Sequence, residues 1–146
     1  MNTIARGKGF STDAAVLEQV TECCKPAIVG EGGAAAAFRH ALPAARVFSR
    51  RGEWPPDVGD ADLVIHATPV RDEVLFELRA GQTLIDLPYP RTATADAAAA
   101  AGARVLDGLE VLVAQGAASF ELWTGVAAPV PVMRRALGLP EMRPTK

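Results

Sequence analysis

The stretch IVGEGGAAAA, residues 28–37, decides the fold of this 146-residue chain. It places Gly30, Gly32 and Ala35 in the pattern G-x-G-x-x-G/A, between an apolar run and a helical stretch. In that pattern the first glycine allows a tight turn, the second admits a pyrophosphate to the backbone, and the small third residue lets helix and strand pack closely. The unpaired N–H groups that begin the helix attract an anion. The stretch therefore predicts a dinucleotide-binding loop, although a glycine-rich connection without a ligand also fits it.

Short apolar runs alternate with helical stretches on both sides of this loop. The runs are brief and lack polar alternation, which is typical of strands covered on both faces. We therefore predict an α/β fold: a Rossmann-like, doubly wound and mainly parallel sheet of about five to six strands with flanking helices, in a single domain. Strands are predicted at 26–30, 45–49, 61–67, 82–87 and 103–109, and helices at 32–42, 70–78 and 92–102.

The two ends of the chain extend this pattern. A helix is predicted from Thr12 to Cys24, with Ser11 or Thr12 as its N-cap. A long helix around Gln115 and a short one in VPVMRRALG, residues 130–138, follow the last strand. Residues 52–60, GEWPPDVGD, are predicted to form a loop crossover. The predicted organisation is an N-terminal segment and helix at 1–24, a nucleotide-binding domain at 25–139 and a loose tail at 140–146.

Composition and charge argue against several classes of function. A net charge of −2 and a pI near 5.7 argue against nucleic acid or an acidic membrane surface as a partner. No apolar run reaches the length of about 18 residues that a transmembrane helix needs, and the first ten residues lack the apolar block of a signal peptide. The adjacent Cys23 and Cys24 have neither metal-ligand nor redox-pair spacing. We therefore predict no metal site and reduced thiols in a cytoplasmic protein.

The end of the second predicted strand indicates which dinucleotide binds. An NAD-binding protein would carry an acidic residue about 20 positions after the glycine loop, to hold the ribose 2′-hydroxyl. Here that place holds Ser49, Arg50 and Arg51, a hydroxyl and two guanidinium groups that suit a 2′-phosphate. The predicted cofactor is therefore NADP(H) rather than NAD. Two observations leave room for other interpretations: Glu53 could neutralise a solvated arginine turn, and Glu31 lies inside the anion-binding loop.

The helix GLEVLVAQGAASFELWTG, residues 108–125, contains an amide on an apolar side. Helical spacing predicts one solvent-facing and one buried face, and Gln115 lies apart from the glutamates that mark the first. Burying an amide without partners costs roughly 1–3 kcal/mol, so either the protein or a ligand must supply its hydrogen bonds. The predicted buried face consists of Leu112, Gly116, Phe120 and Trp123.

Four stretches together resemble the C-terminal, nucleotide-binding domain of shikimate dehydrogenases. They are IVGEGGAAAA with SRR (49–51), ADLVIHATPV (61–70), LIDLPYPRTAT (84–94) and DGLEVLVAQGAASFELWTG (107–125). The last is the most specific, since it combines an Asp-Gly pair, a Leu-Val-x-Gln step and a Phe-x-Leu-Trp ending. A fifth stretch, GFSTDAAV (9–16), is similar to the family's Gly-Tyr-Asn-Thr-Asp-Gly motif. The resemblance runs from about Gly9 to Leu137 and implies NADPH-dependent reduction of 3-dehydroshikimate to shikimate, a step of aromatic amino acid biosynthesis.

The resemblance also implies roles for matching residues. Asp13 matches the catalytic aspartate that pairs with a lysine, and Tyr89 and Gln115 match substrate contacts. The matching cofactor contacts are Gly30, Glu31, Gly32, Gly33 and Ala34 for the diphosphate, Ser49, Arg50 and Arg51 for the adenosine phosphate, and Leu87 and Gly108 on the nicotinamide side. His66 stands where the family tends to have asparagine, and we expect it and Asp86 to be hydrogen-bonded structural groups. From position alone, Asp13 could instead favour a helix dipole and Tyr89 could be a surface turn residue.

Departures from the family pattern leave the activity open. A whole substrate-binding domain precedes the aspartate in the family and supplies its lysine, whereas twelve residues precede Asp13 here. Lys8 is the nearby lysine, without the family's lysine motif around it. Three hypotheses follow: the cofactor half of a shikimate dehydrogenase, inactive without a separate substrate domain; a non-catalytic NADP-binding sensor or subunit; and a structural interaction module. Because the neighbouring domain would cover apolar surface, we expect a homo-oligomer or a partner protein.

Overall fold

Five of the predicted apolar runs form one parallel sheet in the computed structural model, which describes residues 2–20 and 23–140. All adjacent pairs run parallel, and the strand order is β4-β3-β5-β6-β7. This confirms the predicted α/β architecture and its doubly wound sheet. The strands are β3 (Pro26–Val29), β4 (Arg46–Phe48), β5 (Leu63–His66), β6 (Thr83–Asp86) and β7 (Arg104–Leu106).

Both faces of the sheet are buried, because successive strand residues point to opposite sides. Val29 and Val64 belong to one apolar core and Ile28 and Ile65 to the other. The second core is covered by the first and third helices, through Phe38 and the contacts of Val111 and Ala114. Strands that are buried on both faces need apolar residues at every position, which is why these runs show no polar alternation.

Four α-helices flank the described sheet, and local chemistry fixes where two of them begin. The Thr92 hydroxyl accepts the Ala95 N–H at the start of the second helix. The Asp107 carboxylate accepts the N–H groups of Leu109 and Glu110 at the start of the third. The helices are α1 (Gly33–Ala41), α2 (Ala93–Ala100), α3 (Gly108–Thr124) and α4 (Val130–Ala136). Among the described helices, none combines the length and apolar character that crossing a bilayer requires.

The N-terminal region differs from its predicted helix. Two short strands, β1 (Thr3–Ala5) and β2 (Lys8–Phe10), form an antiparallel hairpin, and a 3₁₀ helix follows at Ala15–Gln19. Neither Ser11 nor Thr12 caps this helix, whose preceding residue is Ala14. The Thr12 hydroxyl is buried instead, 3.1 Å from the Ser119 hydroxyl of α3. Residues 21 and 22 of the predicted helix lie outside the described residues, as do residues 141–146 of the predicted tail.

The predicted helix at 70–78 is wrong, because this segment is an irregular connection between β5 and β6. Its backbone bonds to α2 rather than to itself: the Arg71 carbonyl accepts the Ala93 N–H at 2.7 Å, and the Leu75 N–H bonds to the Thr94 hydroxyl at 3.1 Å. Phe76 and Leu78 are buried in the sheet core at a two-residue spacing, which a helix cannot achieve. Tertiary hydrogen bonds thus replace the helical ones.

The strands are added to the sheet first on one side of β3 and then on the other. From β3 the chain crosses through α1 to β4 on one side, and later returns to place β5 on the other side. The segments that follow β3 and β5 therefore lie side by side at the carboxyl ends of the strands. Such a switch point is where open α/β sheets bind ligands.

Candidate functional site

A cleft of about 460 Å³ opens at this switch point. Three segments line it: the glycine loop after β3, the Ser49–Arg51 turn after β4, and the segment 67–70 after β5, which contains Thr68. Trp54 and Leu75 complete the wall. The structure therefore joins the two sequence features that predicted a dinucleotide, which lie about 20 residues apart in the chain.

Gly30 is the residue that lets the cleft form. Its φ of +126° lies in the region that favours glycine, and a Cβ there would lie 2.6 Å from the Ala67 carbonyl oxygen. The segments after β3 and β5 thus approach each other at a distance that a side chain would prevent. The sequence predicted glycine here for a tight turn, and in the structure a close backbone contact with Ala67 also requires it.

The beginning of α1 lies beside the cleft and has no side-chain cap on its first N–H groups. Gly32 is the residue before the helix, and no side chain caps it. Gly33 and Ala34 form the exposed first turn, and a Cβ at Gly32 or Gly33 would meet nothing within 4 Å. Glu31 is exposed and forms no ion pair within the described residues. A carboxylate that is free to point to water weakens an anion site less than a buried one would.

The arginine turn is held by backbone hydrogen bonds. The Ser49 N–H donates to the Glu53 carbonyl at 3.1 Å, and the Gly52 N–H donates to the Ser49 carbonyl at 3.0 Å. Ser49 is buried, whereas Arg50 and Arg51 are exposed and line the cleft. This tight turn projects two guanidinium groups beside the glycine loop.

Trp54 is a wall of the cleft that the sequence did not single out. Its ring is half-buried, and the Arg50 guanidinium lies 5.6 Å from the ring centroid, within the range of a cation–π contact. Ring and guanidinium together offer a flat, partly apolar surface at the arginine end of the cleft. Such surfaces suit the stacking of a planar base.

A second group of predicted residues lies together outside this cleft. A Cβ at Gly108 would lie 2.7 Å from the Pro88 carbonyl, 3.2 Å from Tyr89 Cβ and 3.3 Å from the Leu87 carbonyl. The start of α3 therefore packs directly on the segment that follows β6. Leu87 is half-buried and Tyr89 is 67% exposed. The structure thus brings Leu87, Tyr89 and Gly108 into one neighbourhood.

Gln115 lies seven residues after Gly108, on the same face of α3. The residue is half-buried, and its side-chain amide makes no hydrogen bond to another described residue. The predicted buried face of this helix is wrong for three of its four residues, since Leu112 is 51% exposed, Trp123 is 62% exposed and Gly116 is exposed too. The Trp123 indole N–H reaches the Ile4 carbonyl at 2.9 Å, so the N-terminal hairpin meets the end of α3 there.

Asp13 lines a small cavity with Gly33 and His40 of α1, and its neighbour Thr12 contacts α3. The adjacent Thr12 bonds to Ser119, which follows Gln115 by one helical turn. Asn2 Nδ2 donates to Asp13 Oδ1 at 2.6 Å, and Asn2 Oδ1 accepts the Thr12 N–H at 2.9 Å. Within the described residues, Asp13 forms no ion pair with a lysine. Sequence reasoning missed Asn2, because only the hairpin brings its amide beside Asp13.

His66 and Asp86 lie fully buried at the ends of neighbouring strands. His66 Nδ1 is hydrogen-bonded to Asp86 Oδ1 at 2.7 Å, and His66 Nε2 to Thr68 Oγ1 at 2.8 Å. Asp86 also accepts the Thr92 N–H at 3.1 Å and the Thr92 hydroxyl at 3.0 Å. These bonds agree with the expectation of a hydrogen-bonded histidine and of an aspartate that caps a backbone amide.

Two side chains with shifted pKa values, Cys23 and Asp62, lie at the amino ends of the strands, away from the cleft. Burial raises the pKa of the Cys23 thiol to about 11, and the nearby Asp62 carboxylate adds to the effect. Burial also acts to raise the pKa of Asp62. Hydrogen bonds from the Cys24 and Lys25 amides outweigh it, so that this pKa lies below its ordinary value. These groups serve the structure of the strand start rather than the cleft.

Comparison with known proteins finds similarity to shikimate dehydrogenases. The family model described as the shikimate 5′-dehydrogenase C-terminal domain matches residues 108–137. A shikimate dehydrogenase (NADP(+)) of Pyrobaculum islandicum is 33% identical, over 88% of this chain and 61% of the relative. The chain therefore spans less than two thirds of that relative's length.

Solved structures share the fold. A shikimate dehydrogenase crystallised with NADP+ superposes with a TM-score of 0.75 at 24% identity, over 94% of this chain and 66% of that one. The enzyme of Thermus thermophilus, in complex with NADP(H) and shikimate, has a TM-score of 0.68 at 27% identity, over 88% of this chain and 62% of that one.

Proposed function

Because the chain is a homologue of shikimate dehydrogenases that spans part of their length, we propose that it is an NADP(H)-binding domain of that type. One observation carries the proposal: the cleft joins the Gly30 loop to the turn that bears Arg50 and Arg51. The loop offers backbone N–H groups to a diphosphate, and the guanidinium groups offer charge-assisted hydrogen bonds to a third phosphate. NADP+ is also the ligand of one of the solved structures that share this fold.

The proposed contacts follow the geometry of the cleft. The diphosphate would bind at Gly30, Glu31, Gly32, Gly33 and Ala34, where the backbone is uncapped and open. The 2′-phosphate would bind Ser49, Arg50 and Arg51. The nicotinamide side would lie toward Leu87 and Gly108, where α3 packs on the segment after β6. A hydride donor bound there supplies redox chemistry, and the residues of this chain bind and orient it.

Residues for an alcohol or ketone substrate would line α3 and its neighbours. Gln115 has an amide without a partner among the described residues, and Tyr89 projects an exposed phenol. Asp13 would orient or exchange a proton at the reacting hydroxyl, with Asn2 holding its carboxylate in place. These roles belong to the proposal and rest on the resemblance together with the proximity of the Asp13 segment to Ser119.

We propose reduction of 3-dehydroshikimate to shikimate as the reaction of the complete enzyme, and no turnover by these 146 residues alone. Asp13 has Asn2 and Ser11 as its described side-chain partners and lacks a lysine. Loss of a proton-transfer partner costs about 10²–10⁴-fold in rate. NADPH oxidation with 3-dehydroshikimate, followed by the loss of NADPH absorbance, tests this point. Clear turnover by the isolated chain contradicts it.

Titration with NADPH and NADH tests cofactor binding directly. We expect NADPH to bind at least about tenfold more tightly, which corresponds to about 1.4 kcal/mol for the added phosphate contacts. NADH binding at equal strength would remove the 2′-phosphate assignment. Binding of neither would leave only a structural or interaction role for the chain.

We also propose that the chain self-associates or binds a partner protein, and that it is cytoplasmic. Leu112 lies exposed on the α3 face that carries Gly108 and Gln115, and Ile4 and Trp123 are exposed at its other end. Apolar surface of this kind favours association. Light scattering across a wide concentration range tests it, and a monomer throughout contradicts self-association. Both cysteines are free thiols, which suits a reducing compartment.

A further inference from the structure

His66, Asp86 and Thr68 form a hydrogen-bonded chain that runs from the buried sheet into the cofactor cleft. His66 and Asp86 are fully buried, whereas Thr68 is half-buried and lines the cleft. Nitrogen–oxygen distances of 2.7 and 2.8 Å connect the three side chains. None of them belongs to the diphosphate loop or the arginine turn. The chain nevertheless ends at the ligand surface.

The protons in this chain can be assigned from the donors around Asp86. Its carboxylate faces the Thr92 N–H, the Thr92 hydroxyl and His66 Nδ1, and the Thr92 oxygen itself accepts the Ala95 N–H. An ionised carboxylate only accepts, so each of these three groups must donate to it. His66 Nδ1 then carries a proton. We take His66 as the neutral imidazole, in which Nε2 is then the acceptor.

This assignment fixes the direction of the hydrogen bonds at the Thr68 hydroxyl. With Nε2 as the acceptor, the single hydroxyl proton of Thr68 points to His66, and the Thr68 oxygen accepts the Val70 N–H at 3.3 Å. A hydroxyl has two lone pairs, so the one that remains can only accept. Thr68 therefore presents an acceptor, and no donor, to the cleft.

We propose that Thr68 is a specificity-determining residue that accepts a hydrogen bond from a sugar hydroxyl of the bound ligand, and that His66 and Asp86 are the positioning residues that fix its hydroxyl. The inference rests on the proposed function, since it takes the cleft as a dinucleotide site. Thr68 directly follows Ala67, whose carbonyl approaches Gly30. The riboses of a dinucleotide flank its diphosphate, so a ribose hydroxyl is the donor within reach. A phosphate oxygen offers no proton and would be disfavoured at this point.

The first experiment compares Thr68→Val with Thr68→Ser, and uses NADPH and inorganic pyrophosphate as probes. Loss of the acceptor should weaken NADPH binding by about tenfold, a typical effect of a lost hydrogen bond. Thr68→Ser should bind NADPH like the wild type, and neither variant should change the affinity for pyrophosphate. Weaker pyrophosphate binding in Thr68→Val would mean that Thr68 donates to phosphate and would overturn the proposal. Unchanged NADPH affinity in Thr68→Val would overturn it as well.

A double-mutant cycle separates positioning from a general structural role. Asparagine at His66 cannot span both Asp86 and Thr68, so His66→Asn should weaken NADPH binding by about threefold or more through the freed Thr68 hydroxyl. The same substitution should have no effect on NADPH affinity in the Thr68→Val background. An effect that persists there assigns His66 a structural role and overturns the proposal.

A measurement on the wild-type chain does not depend on how the variants fold. The chain has two histidines, and the spectrum of a variant of the exposed one, His40→Gln, assigns their signals. We expect nitrogen NMR shifts that show His66 Nδ1 protonated and Nε2 unprotonated. A protonated Nε2 overturns the proposal. If the wild type binds no NADPH, the proposed function fails; if it binds NADPH and Nε2 is protonated, only this inference fails.

Discussion

Glu53 binds Arg46: its carboxylate accepts a hydrogen bond from Arg46 Nε at 3.2 Å and pairs with the same guanidinium a second time. Within the described residues it forms no ion pair with Arg50 or Arg51. The structure therefore contradicts the alternative in which Glu53 neutralises Arg50 and Arg51. Both cleft arginines stay available for an anion.

Arg50→Ala should weaken NADPH binding by about 10- to 100-fold and leave NADH binding nearly unchanged. The reason is that a charge-assisted hydrogen bond contributes about 1.5–3 kcal/mol and only NADPH has the 2′-phosphate. Fluorescence titration of both nucleotides measures the two affinities. Equal losses for NADPH and NADH would mean that Arg50 contacts another part of the nucleotide.

Glu53→Gln is the matched control for the arginine turn. Since Glu53 engages Arg46, which is exposed and does not line the cleft, the ratio of the NADPH and NADH affinities should stay as in the wild type. A marked gain in NADPH affinity in this variant would instead show that Glu53 competes with the phosphate for Arg50 or Arg51.

The Cys23 thiol should react slowly with iodoacetamide at about pH 8 in a Cys24→Ser background. Burial and the Asp62 carboxylate raise its pKa to about 11, so little thiolate is present near neutrality. The rate of alkylation should rise as the pH approaches about 11. Fast alkylation of the folded variant near neutrality would contradict the burial of this thiol.

The same shift has a consequence for folding. The unfolded chain loses the Cys23 proton near the ordinary value of 9.0, whereas the folded chain keeps it to about 11. Its stabilising contribution is therefore complete below the unfolded pKa of 9.0 and is lost as the pH rises from there to about 11. Urea denaturation of Cys24→Ser and of the Cys23→Ser, Cys24→Ser double variant should show a steeper loss in the former. Parallel curves across this window would contradict the linkage.

Arg134 and Glu110 tie the last described helix to the start of α3. Arg134 is almost fully buried, bonds to both Glu110 oxygens, and donates from Nε to the Pro140 carbonyl at 2.9 Å. Arg134→Met should lower the free energy of unfolding by about 3 kcal/mol, since it leaves the carboxylate of Glu110, which is only 15% exposed, unpaired. Adding Glu110→Leu should recover part of that loss. Urea denaturation measures both, and an unchanged stability of Arg134→Met would show that the pair contributes little.

Local pattern was sufficient for the parts of the fold that local chemistry decides. The five apolar runs and the Gly30 loop are recognisable because burial on both faces and a tight turn each require particular residue types in sequence. The segment at 70–78 shows the limit. Its apolar residues fit a helix, but hydrogen bonds to Thr94 and Ala93, which no local pattern reveals, hold it extended.

The candidate site likewise contains residues that the local sequence predicts and residues that only the fold brings together. The Ser49–Arg51 turn was predictable because its position is fixed relative to the glycine loop. The neighbours of Asp13 were not, because Asn2 reaches it only through the β1–β2 hairpin. Thr68 also escaped notice, since its link to Asp86 passes through strands that are adjacent in space and separated in sequence.

Gly30→Ala and Gly32→Ala should separate folding from binding in the glycine loop. At Gly30 a Cβ meets the Ala67 carbonyl at 2.6 Å and the φ of +126° is strained for alanine. We therefore expect a loss of about 1–3 kcal/mol in stability. At Gly32 a Cβ meets no protein atom within 4 Å, so folding should be unchanged. That methyl group would nevertheless occupy the space where a diphosphate approaches, and NADPH binding should weaken by about tenfold or more. Thermal denaturation and NADPH titration measure the two effects. Full NADPH affinity in Gly32→Ala would show that no phosphate lies against this backbone.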